Sequence, residues 1–368
     1  MSSSSFYLLA FGFSLVLSLL LVPVVRDFAT RRGFLDVPGG HKSHSSPVTI
    51  LGGVAMVVAF TATTLVGTWV REGLGRAGAN DSLSFDPTLD LSSNLVREVL
   101  IVTGLAVCFA VLGLWDDLRQ VSPQTRLIIG FLLSIGLATQ VQMVETPLPQ
   151  MADFLLTLFW IVGITNAFNL LDNIDGLAAG TAAVASSTFF LIAVFNDQGY
   201  SALLSIGLAG AMLGFLRSNF HPATIYMGDA GSLFVGFLMA YLGLKMRTNV
   251  TEIPQLFAPI VVLGVAVLDT TVVVVSRLRR GVSPFNGGQD HLSHRLRRLG
   301  LSVRRSVTTL LLASAALGGL SVALSDAPAA VGYWLLGAVV LLGIMSLVLL
   351  TTKVTRTAAP EAPDISPQ

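Results

Sequence analysis

Carboxylate and amide side chains gather in three short motifs of this sequence. Asp116 and Asp117 are adjacent, residues 166–176 hold Asn and Asp at helical spacing, and Asp229 stands between glycines in residues 227–232. Two adjacent carboxylates beside hydrocarbon repel each other and are costly to desolvate, so such a pair usually holds a cation or shares a proton. An acidic cap at a helix end is an equally good interpretation of the pair taken alone.

The second motif has the chemistry of a magnesium site. In a helix, Asn166, Asn169 and either Asp172 or Asn173 fall three to four residues apart and share a face. Amide and carboxylate oxygens together suit Mg²⁺, which prefers oxygen ligands and keeps several waters. Asp175 follows, and Gly176 can supply a tight turn. A polar loop of turn residues is the alternative, which the number of Asn and Asp side chains in this motif disfavours.

Asp229 in the third motif precedes an apolar run. The N-terminus of a helix favours a carboxylate through its dipole and its free N–H groups. A simple N-cap is therefore a serious alternative to a ligand. The flanking Gly228 and Gly231 favour close approach of a ligand or of another backbone.

Asp269 lies inside a predicted membrane span. An ionisable residue there costs about 2.5–3.5 kcal/mol on insertion scales, so Asp269 should face protein or a water-filled cleft. A substrate contact and a plain hydrogen bond between helices both remain open for it.

Two basic loops have side chains that bind anions. Residues 277–305 contain His291, His294 and Arg295, which suit a phosphate or pyrophosphate better than zinc, because no third histidine or cysteine is nearby. Residues 36–47 contain Lys42 and His44. Arginines that only set orientation and contact anionic lipid are the alternative for both loops.

The elements that position these residues are predicted to be membrane helices. The chain is 53% hydrophobic and 12% charged, whereas a soluble domain carries about 25% charged residues. It has no basic tract of the kind that follows a nucleic acid backbone. We predict an all-α polytopic membrane protein with about eleven transmembrane helices, at residues 6–25, 48–70, 98–115, 125–141, 151–168, 177–196, 200–217, 231–246, 255–276, 306–326 and 331–352.

Positive charge sets the predicted orientation. With the N-terminus outside and the C-terminus cytoplasmic, 17 of the 22 Lys and Arg residues fall in inside segments, as the positive-inside rule requires. The first apolar run lacks a basic segment before it and is therefore predicted to span the membrane rather than to be a signal peptide. Residues 1–356 form one predicted integral domain, and residues 357–368, rich in Pro and Ala, are predicted to be disordered.

Carboxylates, amides, His and Arg thus meet at one predicted membrane surface. Together with Mg²⁺ these are the parts of a phosphoryl-transfer site, with one soluble anionic substrate and one lipid substrate. A transporter is the alternative from another class, because polar breaks between membrane helices also serve transport. Transporters usually place such residues near the midplane, which disfavours that alternative.

The order of the motifs resembles the polyprenyl-phosphate N-acetylhexosamine-1-phosphate transferases. That family shows an Asp pair, then Asn-x-x-Asn-x-x-Asp-(x)-x-Asp-Gly, then Met-Gly-Asp-x-Gly-Ser, then a His-rich last loop, and the match runs over nearly the whole chain. The resemblance implies transfer of a sugar phosphate from a UDP-N-acetylhexosamine to undecaprenyl phosphate, with release of UMP. It implies a Mg²⁺ cofactor, with Mn²⁺ as a substitute, and a multi-pass enzyme of the bacterial inner membrane whose active site faces the cytoplasm.

The resemblance also implies roles for single residues. Asn169 and Asp229 resemble the metal ligands, and Asp116 and Asp117 resemble the pair near the lipid phosphate. Asp172 and Asp175 are further catalytic candidates. The residues expected to bind substrate are Lys42, His44, Arg126, Asn166, Asp269, His291, His294 and Arg295. A second copy of the chain is a further candidate partner.

The branch within the family depends on the last loop. Eleven spans and a His-Leu-x-His pattern fit the branch that transfers GlcNAc-1-phosphate. The phospho-MurNAc-pentapeptide branch, which is the alternative, has ten spans and a Pro-Leu-His-His-His run that is absent here. Ser293 and Gly288 depart from the family pattern in this loop, which leaves the sugar open with UDP-GlcNAc as the default.

Overall fold

The computed structural model describes residues 3–36, 47–79, 93–119, 121–141, 144, 148–246, 253–284 and 288–357 of the 368. These residues are mainly helical, as predicted. The helices are α1 (Ser3–Arg32), α2 (Gly52–Ala79), α3 (Asn94–Arg119), α4 (Pro123–Gln140), α5 (Gln150–Leu171), α6 (Leu177–Phe195), α7 (Gly199–Asn219), α8 (Gly228–Lys245), α9 (Ala258–Val262), α10 (Gly264–Arg279), α11 (Leu292–Arg298), α12 (Val303–Ser325) and α13 (Ala329–Thr357). The predicted tail, residues 357–368, lies outside the described residues except for Thr357.

Eight of the described helices are long and apolar enough to cross a membrane. They are α1, α2, α3, α5, α6, α7, α12 and α13, and the pair formed by α9 and α10 would make a ninth if it counts as one span. Two further helices at predicted spans, α4 and α8, have 18 residues each and fall outside this set. The structure therefore shows a multi-pass helical protein without confirming the number eleven.

The predicted span at residues 255–276 is bent in the structure. A 3₁₀ turn at Ile253–Phe257 leads into α9, and α10 departs from the direction of this segment by 77°. Gly264 begins α10 at the bend, where a Cβ atom would lie 2.9 Å from the side chain of Leu317 in α12. The close packing of α12 against the bend accompanies this change of direction.

The central helix of the bundle is α8. Every residue from Ala230 to Leu244 is buried, because α2, α3 and α5 pack around it. A helix surrounded by protein does not need a lipid-facing surface, which explains why α8 holds glycines, a Ser and an Asp among its apolar residues. Its central position places Asp229, in its first turn, at the end of the bundle between the surrounding helices.

A short two-stranded sheet accompanies the helices. Strands β1 (Leu35–Asp36) and β2 (Val48–Thr49) pair antiparallel, and residues 48–49 are therefore not the start of a span. Thr49 also forms a bridge with Ile225, and Gly52 and Gly53 donate their N–H groups to the carbonyl oxygens of residues 226 and 227. These bonds tie the segment before α2 to the segment before α8.

The surface of the bundle is apolar. Leu8, Phe159, Trp334 and other large hydrophobic side chains are at least half exposed on several helices. An apolar surface of this extent is typical of a chain solvated by lipid. The packing thus agrees with the composition.

Candidate active site

A cleft of about 640 Å³ lies at the end of the bundle where α3 and α5 end and α8 begins. Most of the residues that line it have polar side chains. The lining residues are Asp36, Ile50, Asp116, Asp117, Val121, Arg126, Asn169, Asp172, Asn173, Ile174, Asp175, Asn219, Tyr226, Gly228, Asp229, Gly288, Gln289 and His294. The three acidic motifs therefore converge on one space.

Arg126 joins two of these motifs. Its Nη1 atom lies 2.8 Å from Oδ2 of Asp116 and 3.2 Å from Oδ2 of Asp229. Helix α4 presents Arg126 in its first turn. Ser122 caps that helix by accepting the N–H of Thr125, and Pro123 is its first residue. The guanidinium thus lies between carboxylates from α3 and α8.

Asn169 joins the second motif to the third. Its Nδ2 atom donates to Oδ1 of Asp229 at 2.5 Å and to Oγ of Ser232 at 2.9 Å. Asn169 lies in the last turn of α5, two residues before the helix ends at Leu171. The amide and the carboxylate that were predicted as metal ligands are therefore neighbours in the cleft.

Asp117, unlike Asp116, binds the N-terminus of α8. Its Oδ1 accepts the N–H of Asp229 at 2.8 Å and its Oδ2 accepts the N–H of Ala230 at 3.0 Å. The N-cap alternative considered for Asp229 is therefore wrong. The cap of α8 comes from another helix.

Asp172 has the least satisfied carboxylate of the cleft. Among the residues that the structure describes, none donates a hydrogen bond to its side chain. Burial, and then repulsion by the carboxylates of Asp229, Asp117 and Asp175, raise the pKa of Asp172 to about 7. A cation in the cleft would relieve this repulsion.

Asp175 lines the cleft but is held by the segment between α7 and α8. Its Oδ2 lies 2.7 Å from Nδ1 of His221 and accepts the N–H of Ala223 at 3.0 Å. Asn219, fully buried, accepts the N–H of Gly176 through Oδ1 and donates to the carbonyl of Ile225. The turn after α5 is thereby fastened to the segment that leads into α8.

Asp269 and His291 form a buried pair behind the cleft. Oδ2 of Asp269 lies 2.8 Å from Nδ1 of His291, and Oδ1 accepts the N–H of Leu292 at 2.7 Å, which caps α11. Asp269 is fully buried. It does face protein, as predicted, but neither residue of the pair lines the cleft.

Arg295 also points into the loop rather than into the cleft. Its Nε donates to the carbonyl of Asp290 at 2.7 Å and its Nη2 to Oγ of Ser276 at 2.8 Å. The Asp290 carboxylate pairs with Arg277 and Arg280, whose guanidinium groups lower its pKa. This network fastens the last loop to the end of α10.

His294 is the histidine of the last loop that lines the cleft. Burial, and then the nearby positive groups of His291, Arg297 and Arg298, lower the pKa of His294 to about 4. Its ring is therefore neutral at pH 7 and can donate one hydrogen bond and accept another.

Three other predicted substrate-binding residues either lie away from the cleft or fall outside the described part of the chain. Asn166 does not line the cleft, because its Nδ2 donates to the carbonyl of Val162 in its own helix. Lys42 and His44 lie outside the described residues, although Asp36, at the start of their loop, lines the cleft.

Several residues of the cleft were not predicted from the sequence, and neither was His221, which binds Asp175 without lining the cleft itself. Asn219, His221 and Tyr226 lie in or near the segment between α7 and α8, and Asp36 lies in β1. Their signal was weak, since a lone Asn, His or Tyr between helices is common. The short stretch of polar residues before the Met-Gly-Asp motif was the available hint.

The donor set of the cleft fits Mg²⁺ better than a metal held by protein alone. In the described part of the chain, no three His, Cys, Asp or Glu side chains are close enough to hold a metal ion. Mg²⁺ is usually bound by one or two carboxylates together with waters and substrate phosphates. Asp229 and Asn169 match that mode of Mg²⁺ binding. The lining of the cleft also holds more carboxylates than guanidinium groups.

Comparisons with known proteins agree with this site. Residues 99–247 match glycosyl transferase family 4. The chain is 32% identical over 316 residues to a probable undecaprenyl-phosphate N-acetylglucosaminyl 1-phosphate transferase of Bacillus subtilis, covering 82% of this chain and 80% of the relative. It is 31% identical over 324 residues to a decaprenyl-phosphate N-acetylglucosaminephosphotransferase of Mycolicibacterium smegmatis, covering 78% and 74%.

A relative with another substrate is also similar. The chain is 28% identical over 326 residues to a phospho-N-acetylmuramoyl-pentapeptide-transferase of Bacillus subtilis, covering 82% of this chain and 91% of the relative. The matched region contains all three acidic motifs, which form the cleft described above. The chain therefore belongs to the same family as these polyprenyl-phosphate sugar-phosphate transferases.

Proposed function

We propose that this chain transfers N-acetylhexosamine-1-phosphate, with GlcNAc-1-phosphate as the default, from a UDP-sugar to undecaprenyl phosphate and releases UMP. The product would start a cell-envelope polysaccharide. The observation that carries this proposal is the junction of Arg126 with Asp116 and Asp229, beside Asn169. One guanidinium and a pair of metal-type ligands in one cleft can hold two phosphorylated substrates side by side.

Asn169 and Asp229 are proposed to hold Mg²⁺ on the diphosphate of the UDP-sugar. Bound there, the ion would neutralise charge that develops on the leaving UMP. Asp229 is kept in place by Asn169 and Arg126. Asp172, which has no hydrogen-bond donor among the described residues, is close enough to be affected by the charge of Asp229 and would be relieved by the same ion.

Arg126 and Asp116 are proposed to receive the phosphate of the lipid. Nη1 of Arg126 already binds two carboxylates, and a phosphate can take the remaining donors of the guanidinium. Its Nε atom is buried and has no partner among the described residues. An oxygen of the lipid phosphate would attack the β-phosphorus of the donor, and the bond from that phosphorus to the oxygen retained by UMP would break. That phosphate is largely ionised near pH 7, so no strong base is required.

His294 and Asp175 are proposed to complete the donor site. His294 and Asp175 both line the cleft; His294 is a neutral hydrogen-bonding group, and Asp175 is oriented by His221. His291, Asp269 and Arg295 support the loop from behind. Direct contact of Lys42, His44 or Asn166 with substrate stays a prediction.

The finer topology is also a proposal. We place α4 and α8 in the membrane, count α9 with α10 as one span, and obtain eleven spans with the N-terminus outside and the cleft facing the bacterial cytoplasm. The distribution of Lys and Arg supports this orientation. A homodimer stays a prediction that light scattering of the detergent-solubilised protein would check.

The proposal is tested by release of UMP from UDP-GlcNAc by the solubilised protein with undecaprenyl phosphate. Removal of Mg²⁺ by a chelator should abolish release, and Mg²⁺ or Mn²⁺ should restore it. Asp229→Ala and Asn169→Ala should each lose at least about 100-fold in rate, since each removes a proposed ligand. Asn196→Ala is a matched control, because Asn196 caps the far end of α6, and it should keep full activity.

Full activity of either ligand variant would overturn the metal assignment. Uptake of a labelled solute into proteoliposomes without UMP release would favour a transporter instead. UMP release separates these two outcomes, because a ligand variant with full activity still releases UMP and a transporter does not.

A phospho-MurNAc-pentapeptide transferase is the second candidate. It is favoured by the similarity to the Bacillus subtilis enzyme of that name, 91% of whose length is matched. A panel of UDP-GlcNAc, other UDP-N-acetylhexosamines and UDP-MurNAc-pentapeptide, each assayed for UMP release, decides between the two donors.

A further inference from the structure

Helix α8 begins inside the bundle without a cap of its own. The first N–H groups of any helix have no partner within it. At α8 the N-cap residue is Met227, which makes no side-chain cap bond. Asp117 of α3 supplies the missing acceptors, one oxygen to each of the N–H groups of Asp229 and Ala230.

Glycines allow α3 to come this close. A Cβ atom on Gly113, one turn before Asp117, would lie 2.1 Å from the carbonyl oxygen of Asp229. A Cβ atom on Gly228 would lie 2.7 Å from Oδ2 of Asp117, and Gly228 has a φ of +71°. Any larger residue at either position would push the two helices apart.

The two adjacent aspartates therefore have different partners. Asp116 faces Arg126 and accepts the N–H of Val121. Both oxygens of Asp117 accept hydrogen bonds from backbone N–H groups of α8. The positive end of that helix also stabilises the negative charge of Asp117. Asp117 has no comparable bond to Arg126.

We infer that Asp117 is a positioning residue for the proposed reaction: it caps α8 and thereby places the carboxylate of Asp229, while Asp116 with Arg126 faces the lipid phosphate. This inference rests on the proposed function for the role of Asp229. It divides the paired carboxylates into one structural and one substrate-facing group. Asp117 then contributes to Mg²⁺ binding without touching the ion.

The main test compares Asp117→Asn with Asp116→Asn in the full-length protein. An Asn at position 117 has one acceptor oxygen and no charge, so α8 loses one bond and its favourable anion. We expect about 10- to 100-fold weaker Mg²⁺ binding by calorimetry, the range typical of residues that orient metal ligands, with an unchanged KM for undecaprenyl phosphate. Asp116→Asn should instead raise that KM and leave Mg²⁺ binding within about threefold of the natural protein.

Gly113→Ala tests the same idea without touching a carboxylate. The added methyl group displaces the start of α8 and should also weaken Mg²⁺ binding by about tenfold or more. Gly104→Ala is the matched control on the same helix, since nothing lies within 4 Å of its Cβ position. It should leave Mg²⁺ binding and activity unchanged.

Amide hydrogen exchange separates this inference from the proposed function. In the apo protein, exchange over residues 228–232 should become faster in Asp117→Asn and in Gly113→Ala, and not in Asp116→Asn or Gly104→Ala. This result supports the cap even if the natural protein releases no UMP. Unchanged exchange and Mg²⁺ binding in Asp117→Asn, with a raised KM for the lipid or a shifted pH profile, would overturn it.

Discussion

At the scale of single side chains, the cleft depends most on Arg126. This arginine is partly buried, and it separates Asp116 from Asp229, which would otherwise face each other as like charges. An arginine suits this position because its planar guanidinium can bind several oxygens at once, whereas a lysine acts as a point charge. The same property would let it bind a phosphate while keeping its carboxylate partners.

We predict that Arg126→Ala lowers kcat/KM for undecaprenyl phosphate by roughly 10- to 100-fold. The reason is the loss of charged hydrogen bonds worth about 1.5–3 kcal/mol and the repulsion that follows between the two carboxylates. Arg126→Lys should recover part of the activity. UMP release at varied lipid concentration measures the effect, and the exposed Arg217 supplies the control substitution to Ala. Equal losses of activity in Arg126→Ala and in Arg217→Ala would argue against a specific role of Arg126.

We predict that His294 makes the protein less stable in acid. Its pKa of about 4 lies below the ordinary value of 6.5, so the unfolded chain binds a proton in this range and the folded chain does not. The free energy of unfolding should therefore fall as the pH decreases from about 6.5 to about 4. Over this pH range, the Tm measured in detergent should drop. The drop should be smaller in His294→Gln than in the natural protein by about 2 °C or more. Parallel pH profiles for the two proteins would contradict this expectation.

At the scale of elements, α3 and α8 are joined near both ends. One end has Asp117 at the N-terminus of α8. At the other, Oη of Tyr241 donates to Glu98 at 2.7 Å, and Nζ of Lys245 lies 2.7 Å from the same carboxylate. The two helices that carry Asp116 and Asp229 are thereby held in one register.

We predict that Tyr241→Phe destabilises the protein without changing its chemistry. The ring stays buried and only one hydrogen bond is lost, which costs about 1–2 kcal/mol. Tm in detergent should fall by a few degrees, about 2–4 °C, while kcat and KM for UDP-GlcNAc stay unchanged, since Tyr241 does not line the cleft. A fall in kcat at saturating concentrations of both substrates would show that the Tyr241 end of the contact between α3 and α8 affects the reaction.

At the scale of the whole molecule, the central question is which face of the membrane the cleft opens to. All acidic motifs of the cleft share one end of the bundle, and most Lys and Arg residues fall in segments assigned to that side. A charge bias of this kind sets the orientation during insertion. It also accounts for the exposed arginines at the ends of α10 and α11.

We predict that reporters fused after residue 353 and within residues 71–97 give opposite results. A fluorescent protein should fold and fluoresce at the first position. Alkaline phosphatase, which needs disulfides and therefore an oxidising compartment, should be active only at the second. The opposite pattern would invert the topology, and matching results at the two positions would contradict the eleven-span count.

Much of this site follows from local sequence. The Asn and Asp residues at helical spacing in residues 166–172 were predicted to share a helix, and α5 confirms it for Asn166 and Asn169. The apolar runs predicted helices because lipid leaves backbone groups no other partner. The order of the motifs predicted the enzyme family, which the relatives confirm.

Only the tertiary structure decided which polar group meets which. Asp117 and Asp229 are 112 residues apart, and His291 and Asp269 are 22 apart, and no local pattern encodes such pairs. Asp116 and Asp117 look equivalent in the sequence, but successive residues of a helix point in different directions. One therefore meets Arg126 and the other meets the start of α8. The sequence by itself determined that carboxylates would gather at one end of a membrane bundle, and the packing of α3 against α8 decided what each of them holds.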